Sequence, residues 1–245
     1  MSVNRKDGRK NDELRQVRIT PDFVKYPLGS VLVEFGDTKI LCAASADNVQ
    51  PRWMRDQKRP GGWISCEYSM MPFSSPERMV RESTRGRIGG RTHEIQRMIG
   101  RALRAVVDLE SIGPRTIWID CEVLQADGGT RTASVTGSFV ALRLALRRMA
   151  AEGLLERNPL REALAAVSVG KVDGEILLDL DYEEDCRAQV DMNLVVTESG
   201  RFIEIQGTAE TEPFTAEEMA SLTAMARSGI AALIETQKRA LEGRS

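Results

Sequence analysis

An adjacent glycine pair between a strand-like run and a long helical pattern sets the tightest limit on how this chain folds. The apolar run Thr116 to Leu124 reads as a strand, and a helical pattern begins near Thr132. Between them lies Asp127-Gly-Gly-Thr-Arg-Thr-Ala-Ser134. Two glycines permit a sharp turn and leave backbone N–H groups unobstructed. Thr130, Thr132 and Ser134 add hydroxyls, Arg131 adds a forked cation, and the following helix presents its positive end. Apart from Asp127, every residue of the octapeptide favours an anion, which makes it a candidate phosphate pocket. The same residues also suit a plain strand-to-helix loop with a capping hydroxyl and a solvated arginine. The loop alone leaves both readings open.

The rest of the chain narrows the chemistry. At 245 residues and 27.2 kDa it can bury a substantial core, and 42% hydrophobic with 29% charged residues is ordinary globular composition. No apolar run reaches membrane-spanning length, so no membrane association is expected. The polar segment Met1 to Arg18 does not read as a secretory signal. Cys42, Cys66, Cys121 and Cys186 lack metal-ligand spacing and read as reduced thiols of a cytoplasmic protein. His93 is the single histidine, which argues against a Ser-His-Asp hydrolase, a paired-histidine ribonuclease or a histidine zinc site. Net charge is only −2, yet Arg52 to Arg104 holds 12 Lys/Arg against 5 Asp/Glu, while the remainder holds 22 against 31. The chain is therefore strongly dipolar, with one region suited to a polyanion.

The element pattern points to an α+β fold. Val31 to Phe35 and Lys39 to Ala43 flank a Gly36-Asp37 turn, and Trp63 to Ser69 is a further strand. Ala46 to Gly62 reads as irregular and Met70 to Gly90 as a mobile arm. Ile95, Met98, Ile99, Ala102, Leu103 and Val106 form the apolar stripe of a helix, and Val135, Phe139, Leu142, Leu146 and Met149 that of a second. In the second half, Val167 to Val172 and Glu175 to Leu180 flank Asp173-Gly174, and Val190 to Thr197 and Phe202 to Gln206 follow as strands. Thr215-Ala-Glu-Glu218 opens the last helix as a capping box. Hairpin, strands and helix in each half suggest a duplicated unit in one body, with halves of roughly 1–155 and 156–245.

A second dense feature is the acidic stretch Leu178 to Asn193. Asp191 and Asn193 point away from Val190, Met192 and Leu194 if that segment is a strand. Asp185 reads as part of the loop just before it, and Glu183 and Glu184 as solvated turn residues. Asp191 interrupts a run otherwise fit for burial and therefore needs a partner, a cation or a proton. Asp185 and Asp191 together suit Mg²⁺.

Four motifs in order resemble ribonuclease PH: Gly89-Gly-Arg-Thr92, Asp127 to Ser134, Glu184 to Asn193 and Ile205-Gln-Gly-Thr-Ala-Glu210. The likeness extends from Asp7-Gly-Arg9 through the last helix, and exosome ring subunits and the core of polynucleotide phosphorylase share it. Cys186 departs from the family pattern, where serine is common. The resemblance implies a duplicated βαβα-type ribonuclease PH domain and a phosphorolytic 3′-to-5′ exoribonuclease acting on tRNA precursors. Inorganic phosphate is the implied co-substrate, nucleoside diphosphates the products, and 3′ nucleotidyl addition the reverse reaction. It assigns phosphate binding to Arg91, Gly129, Thr130 and Arg131, and catalytic, metal-associated roles to Asp185 and Asp191. It also implies a homo-oligomer, a hexameric ring built as a trimer of dimers.

The basic region then acquires a role. Arg52, Arg55, Lys58 and Arg59, with Arg78, Arg81, Arg85 and Arg87, are candidates to track an RNA backbone toward the pocket. Contacts to partner subunits or water are the alternative for any one of them. Two other functions remain in competition: a non-catalytic RNA-binding ring subunit, and a small-molecule phosphotransferase. The first fits poorly with four retained pocket residues. The second lacks a Gly-x-x-x-x-Gly-Lys-[Ser/Thr] motif.

Overall fold

The structure is a computed structural model that describes residues 5–242. Its first half forms a five-stranded sheet in the order β1-β2-β3-β5-β4, from β1 (Val17–Pro21), β2 (Gly29–Phe35), β3 (Thr38–Asp47), β4 (Trp63–Met70) and β5 (Thr116–Gln125). Pairing is antiparallel except between β4 and β5. Those two run parallel because a crossover containing α2 (Glu82–Arg85) and α3 (Gly90–Ala105) joins them. The second half forms an antiparallel sheet in the order β7-β6-β8-β9, from β6 (Leu164–Val172), β7 (Glu175–Leu178), β8 (Val190–Thr197) and β9 (Phe202–Ala209).

Between the sheets lie three long helices: α3, α4 (Thr130–Ala151) and α6 (Ala216–Leu241). Each touches strands of both sheets. The α4 sequence explains why it occupies the centre. Its inward stripe is joined by Ala133, Ser134, Thr136, Gly137, Ser138 and Ala141, small residues that are also buried. With Arg131 its one charged residue before Arg143, α4 can be covered on all sides beyond its first turn, and it starts at Thr130 rather than near Thr132. The capping box at Thr215 forms as expected, with Glu218 N–H donating to Thr215 Oγ1 at 3.2 Å.

Several expectations need correction. The strand β1 was not anticipated, and Ala46 to Gly62 contains a short helix, α1 (Arg52–Asp56). Asp185 lies not in a loop but in α5 (Tyr182–Arg187). Glu184 is no solvated turn residue, being 3% exposed. It closes a capping box with Asp181 and receives two bonds from Arg5, Nε to Oε1 at 2.8 Å and Nη2 to Oε2 at 2.7 Å.

That pair belongs to a buried clamp. Arg15 grips Asp179 with Nη2 to Oδ1 at 2.7 Å and Nε to Oδ2 at 3.1 Å, and its backbone N–H donates to Oδ2 at 2.9 Å. Arg15 Nη1 also donates to the carbonyl of Asp127, at the start of the glycine loop. Arg5 and Arg9 both donate to the Asp179 carbonyl at 3.1 Å. The N-terminal segment thereby ties the glycine loop of the first half to α5 of the second. Removing one member leaves a buried charge unpaired, which costs about 3–5 kcal/mol. Arg15→Ala is therefore expected to lower denaturant-unfolding stability by about that amount, far beyond the effect of Arg52→Ala at the surface. Equal stabilities of the two variants would contradict the clamp.

Candidate active site

The glycine pair places the first wall of the site. Gly128 and Gly129 both adopt left-handed backbone, with φ of 72° and 64°. A Cβ on Gly128 would come within 2.6 Å of the Leu180 carbonyl oxygen, so the loop presses directly on the chain entering α5. Gly129 is the N-cap of α4 and supplies no capping side chain, and no acid occupies the first turn. The first amides of the helix are thus left for an external anion.

Carboxylates from the second half complete the cavity. Its volume is about 570 Å³, and it brings together Arg91 from α3, Gly129 of the glycine loop, Thr130 and Arg131 from α4, Asp185 from α5 and Asp191 from β8. All six residues expected to hold phosphate or metal therefore share one space. Arg131 is held by Gln206, its Nη1 donating to Oε1 at 2.6 Å, and lies 3.6 Å from Glu94.

Burial and crowding of like charge govern the acids. Burial raises Asp185, partly offset by Arg131 and Arg91. Burial, then the charge of Asp185, pushes Asp191 up to about 6 despite Arg131. Asp191 Oδ1 is buried without a hydrogen-bond partner among the described residues, while Oδ2 receives only a long 3.4 Å bond from Asn193. An unpartnered carboxylate oxygen beside a second carboxylate fits a hard divalent cation, which needs only one or two such ligands and keeps water on its other positions.

Other residues of the cavity went unassigned in the sequence reading: Glu94, Asn193, Gln206, Thr208 and Glu210. Strand periodicity was the available signal for three of them. Gln206, Thr208 and Glu210 recur at every second position, and β9 pairs Gln206 with Asn193 and Thr208 with Asp191.

The basic candidates lie elsewhere. Arg52, Arg55, Lys58, Arg59, Arg78, Arg81 and Arg87 are exposed and do not line the cavity. The side chain of Arg85 lies outside the described residues. Tryptophans accompany this segment: Arg59 stacks over Trp53 at 5.4 Å, and Trp53 meets Trp63 edge-on at 5.0 Å.

Residues 13–147 match the 3′ exoribonuclease family, domain 1, and residues 163–229 match domain 2 of the same family. The chain belongs to the 3′ exoribonuclease (RNase PH) family. A ribonuclease PH of Corynebacterium kroppenstedtii is 54% identical over 237 residues, covering 97% of this chain and 92% of that protein. Among solved structures, rice Rrp46 superimposes with a TM-score of 0.78 at 20% identity, covering 97% of this chain and all of the other. The Archaeoglobus fulgidus exosome with RNA in its active site gives 0.76 at 22% identity, covering 94% and 91%. These two show that the ring-subunit fold is shared.

The raised Asp191 affinity for protons has a consequence for the metal-free protein. Its stabilising contribution is fully present below 3.8, the value of a free side chain, and is lost as pH rises through about 6. The shift corresponds to at most about 3 kcal/mol. Melting in a chelating buffer is expected to weaken between these pH values, and Asp191→Asn to flatten that segment of the profile. An unchanged profile in the variant would refute the assignment.

Proposed function

We propose that this protein is a phosphate-dependent 3′-to-5′ exoribonuclease that trims the 3′ ends of tRNA precursors and releases nucleoside diphosphates. The observation that carries the reading is one cavity lined by Arg91, Thr130, Arg131, Asp185 and Asp191. Run in reverse, the same chemistry is nucleotidyl transfer to an RNA 3′ end, the activity of a tRNA nucleotidyltransferase.

Inorganic phosphate arrives already anionic, so no histidine base is needed to generate the attacker. Arg91, Arg131 and the uncapped amides of α4 receive it and hold it in attacking position. A phosphate oxygen forms a bond to the phosphorus of the last phosphodiester, and the bond from that phosphorus to the 3′ oxygen breaks. The products are a nucleoside diphosphate and an RNA shortened by one residue with a free 3′ hydroxyl. Asp185 and Asp191 are assigned as holders of Mg²⁺, which when bound supplies charge neutralisation at the scissile phosphate. Asp191 is further assigned as the general acid that delivers a proton to the departing 3′ oxygen.

A hexameric ring of three dimers rests on the family resemblance. The cytoplasmic location rests on cysteines without disulfide or metal spacing, and the duplication relating residues 1–155 to 156–245 on the hairpin, strands and helix of each half. RNA is assigned to the basic residues of two segments, with Arg52, Arg55, Lys58 and Arg59 on one and Arg78, Arg81, Arg85 and Arg87 on the other. Their number and charge favour phosphate-backbone contacts, whose affinity falls steeply with salt.

Incubation with a 3′-tailed RNA, Mg²⁺ and inorganic phosphate is expected to release nucleoside diphosphates, and omission of phosphate to stop the release. Exclusive formation of monophosphates would overturn phosphorolysis. Arg131→Ala is expected to reduce kcat/KM by about 100- to 1000-fold, with the melting temperature little changed. Chelation of divalent ions is expected to silence the wild type, with Mg²⁺ restoring turnover. Full activity in the chelator would remove the metal from the account.

A further inference from the structure

Tyr68 contributes to the candidate site from behind it. The residue sits on the inner face of β4, beside Cys121 in the β4–β5 pair, and is 3% exposed. Its hydroxyl donates to Thr130 Oγ1 at 3.0 Å, and Thr130 is the first residue of α4 and itself lines the cavity. Burial raises the Tyr68 phenol above its ordinary value, so at neutral pH it keeps its proton.

The direction of this bond determines what Thr130 can do. A phenol is the stronger donor of the two, and its oxygen is a poor acceptor because its lone pairs delocalise into the ring. A threonine hydroxyl has one proton and two lone pairs. With one lone pair filled by Tyr68, the Thr130 proton is driven to point elsewhere. Among the described residues no hydrogen bond donated by that hydroxyl is seen, and the cavity is the space it borders. Without Tyr68, the hydroxyl would rotate freely and could present a lone pair to an incoming anion, which repels it.

We propose that Tyr68 is a positioning residue that fixes the Thr130 hydroxyl as a donor to the attacking phosphate. This rests on the phosphorolytic reading above and adds a residue that never touches the substrate. The bond also spans β4 and α4, so it holds the helix start against that strand. A purely structural tie of that kind would affect stability, and would have no reason to act on phosphate more than on RNA.

The test is a double-mutant cycle in the phosphorolysis of a 3′-tailed RNA, with KM measured separately for inorganic phosphate and for RNA. Tyr68→Phe is expected to raise KM for phosphate by about 3- to 10-fold, leaving KM for RNA within about twofold. Thr130→Val should do at least as much, Thr130→Ser should retain near wild-type KM, and the double variant Tyr68→Phe/Thr130→Val should be no worse than Thr130→Val. Protection against thermal unfolding by inorganic phosphate alone provides the same comparison without turnover. Multiplicative effects in the double variant, or a Tyr68→Phe enzyme with unchanged phosphate KM, would overturn the proposal. If instead Thr130→Val leaves phosphate KM unchanged, or the wild type needs no phosphate, the failure lies in the underlying reading of the site.

Discussion

Arg15 and Asp179 form a buried, two-pronged ion pair, and the site depends on it because the residues it joins belong to different halves of the chain. Arg15 precedes β1 of the first sheet, and Asp179 follows β7 of the second. By also reaching the Asp127 carbonyl, Arg15 fixes the glycine loop relative to α5. Asp179 itself adopts left-handed backbone, φ 54°, a conformation that an aspartate tolerates better than most residues. A fully buried carboxylate demands charge-assisted partners, and three arginines of the N-terminal segment converge on this region. A hydrophobic contact of equal area could hold the halves together without fixing direction. Forked guanidinium bonds specify both distance and angle.

From this junction the electrostatics of the cavity follow. Arg91 and Arg131 come from the first half, on α3 and α4, while the two aspartates come from the second, on α5 and β8. Neither half alone holds both the arginines of the glycine-loop wall and the aspartate pair. Both aspartates are raised by burial, Asp191 further by the charge of Asp185, and the arginines beside them offset only part of the cost. Such a pocket retains an unmet demand for positive charge next to an unmet demand for negative charge. A phosphate and a divalent ion answer the two demands together, which is the combination phosphorolysis requires.

Local features of this arrangement were readable in the sequence, and long-range ones were not. The glycine loop announced itself because turn geometry, hydroxyls and arginine lie within eight consecutive residues. Asp191 stood out because a charge interrupting a buried strand is anomalous on its own terms. The clamp gave no comparable sign: Arg5 and Glu184 lie 179 positions apart, Arg15 and Asp179 164 apart, and ion pairing has no period. For that reason Glu184 looked like part of an ordinary solvated acidic turn. Its position three residues after Asp181 was nevertheless a legible capping box, and would have placed Asp185 on a helix. The strands flanking Gly36-Asp37 and Asp173-Gly174 were legible from their turns, but the edge strand β1 was too short and too mixed in polarity to register. The burial of α4 on every side could not be inferred from a stripe, because its serines, threonines and glycine look polar or neutral until two sheets are known to enclose them.

The account stands on phosphate and metal meeting in this one cavity, and crystallography of the protein with inorganic phosphate and Mn²⁺ in place of Mg²⁺ addresses that directly. Anomalous scattering is expected to locate manganese between Asp185 and Asp191, with phosphate density against Thr130, Arg131 and the first amides of α4. Phosphate bound away from the glycine loop, or manganese away from both aspartates, would contradict a shared reaction centre.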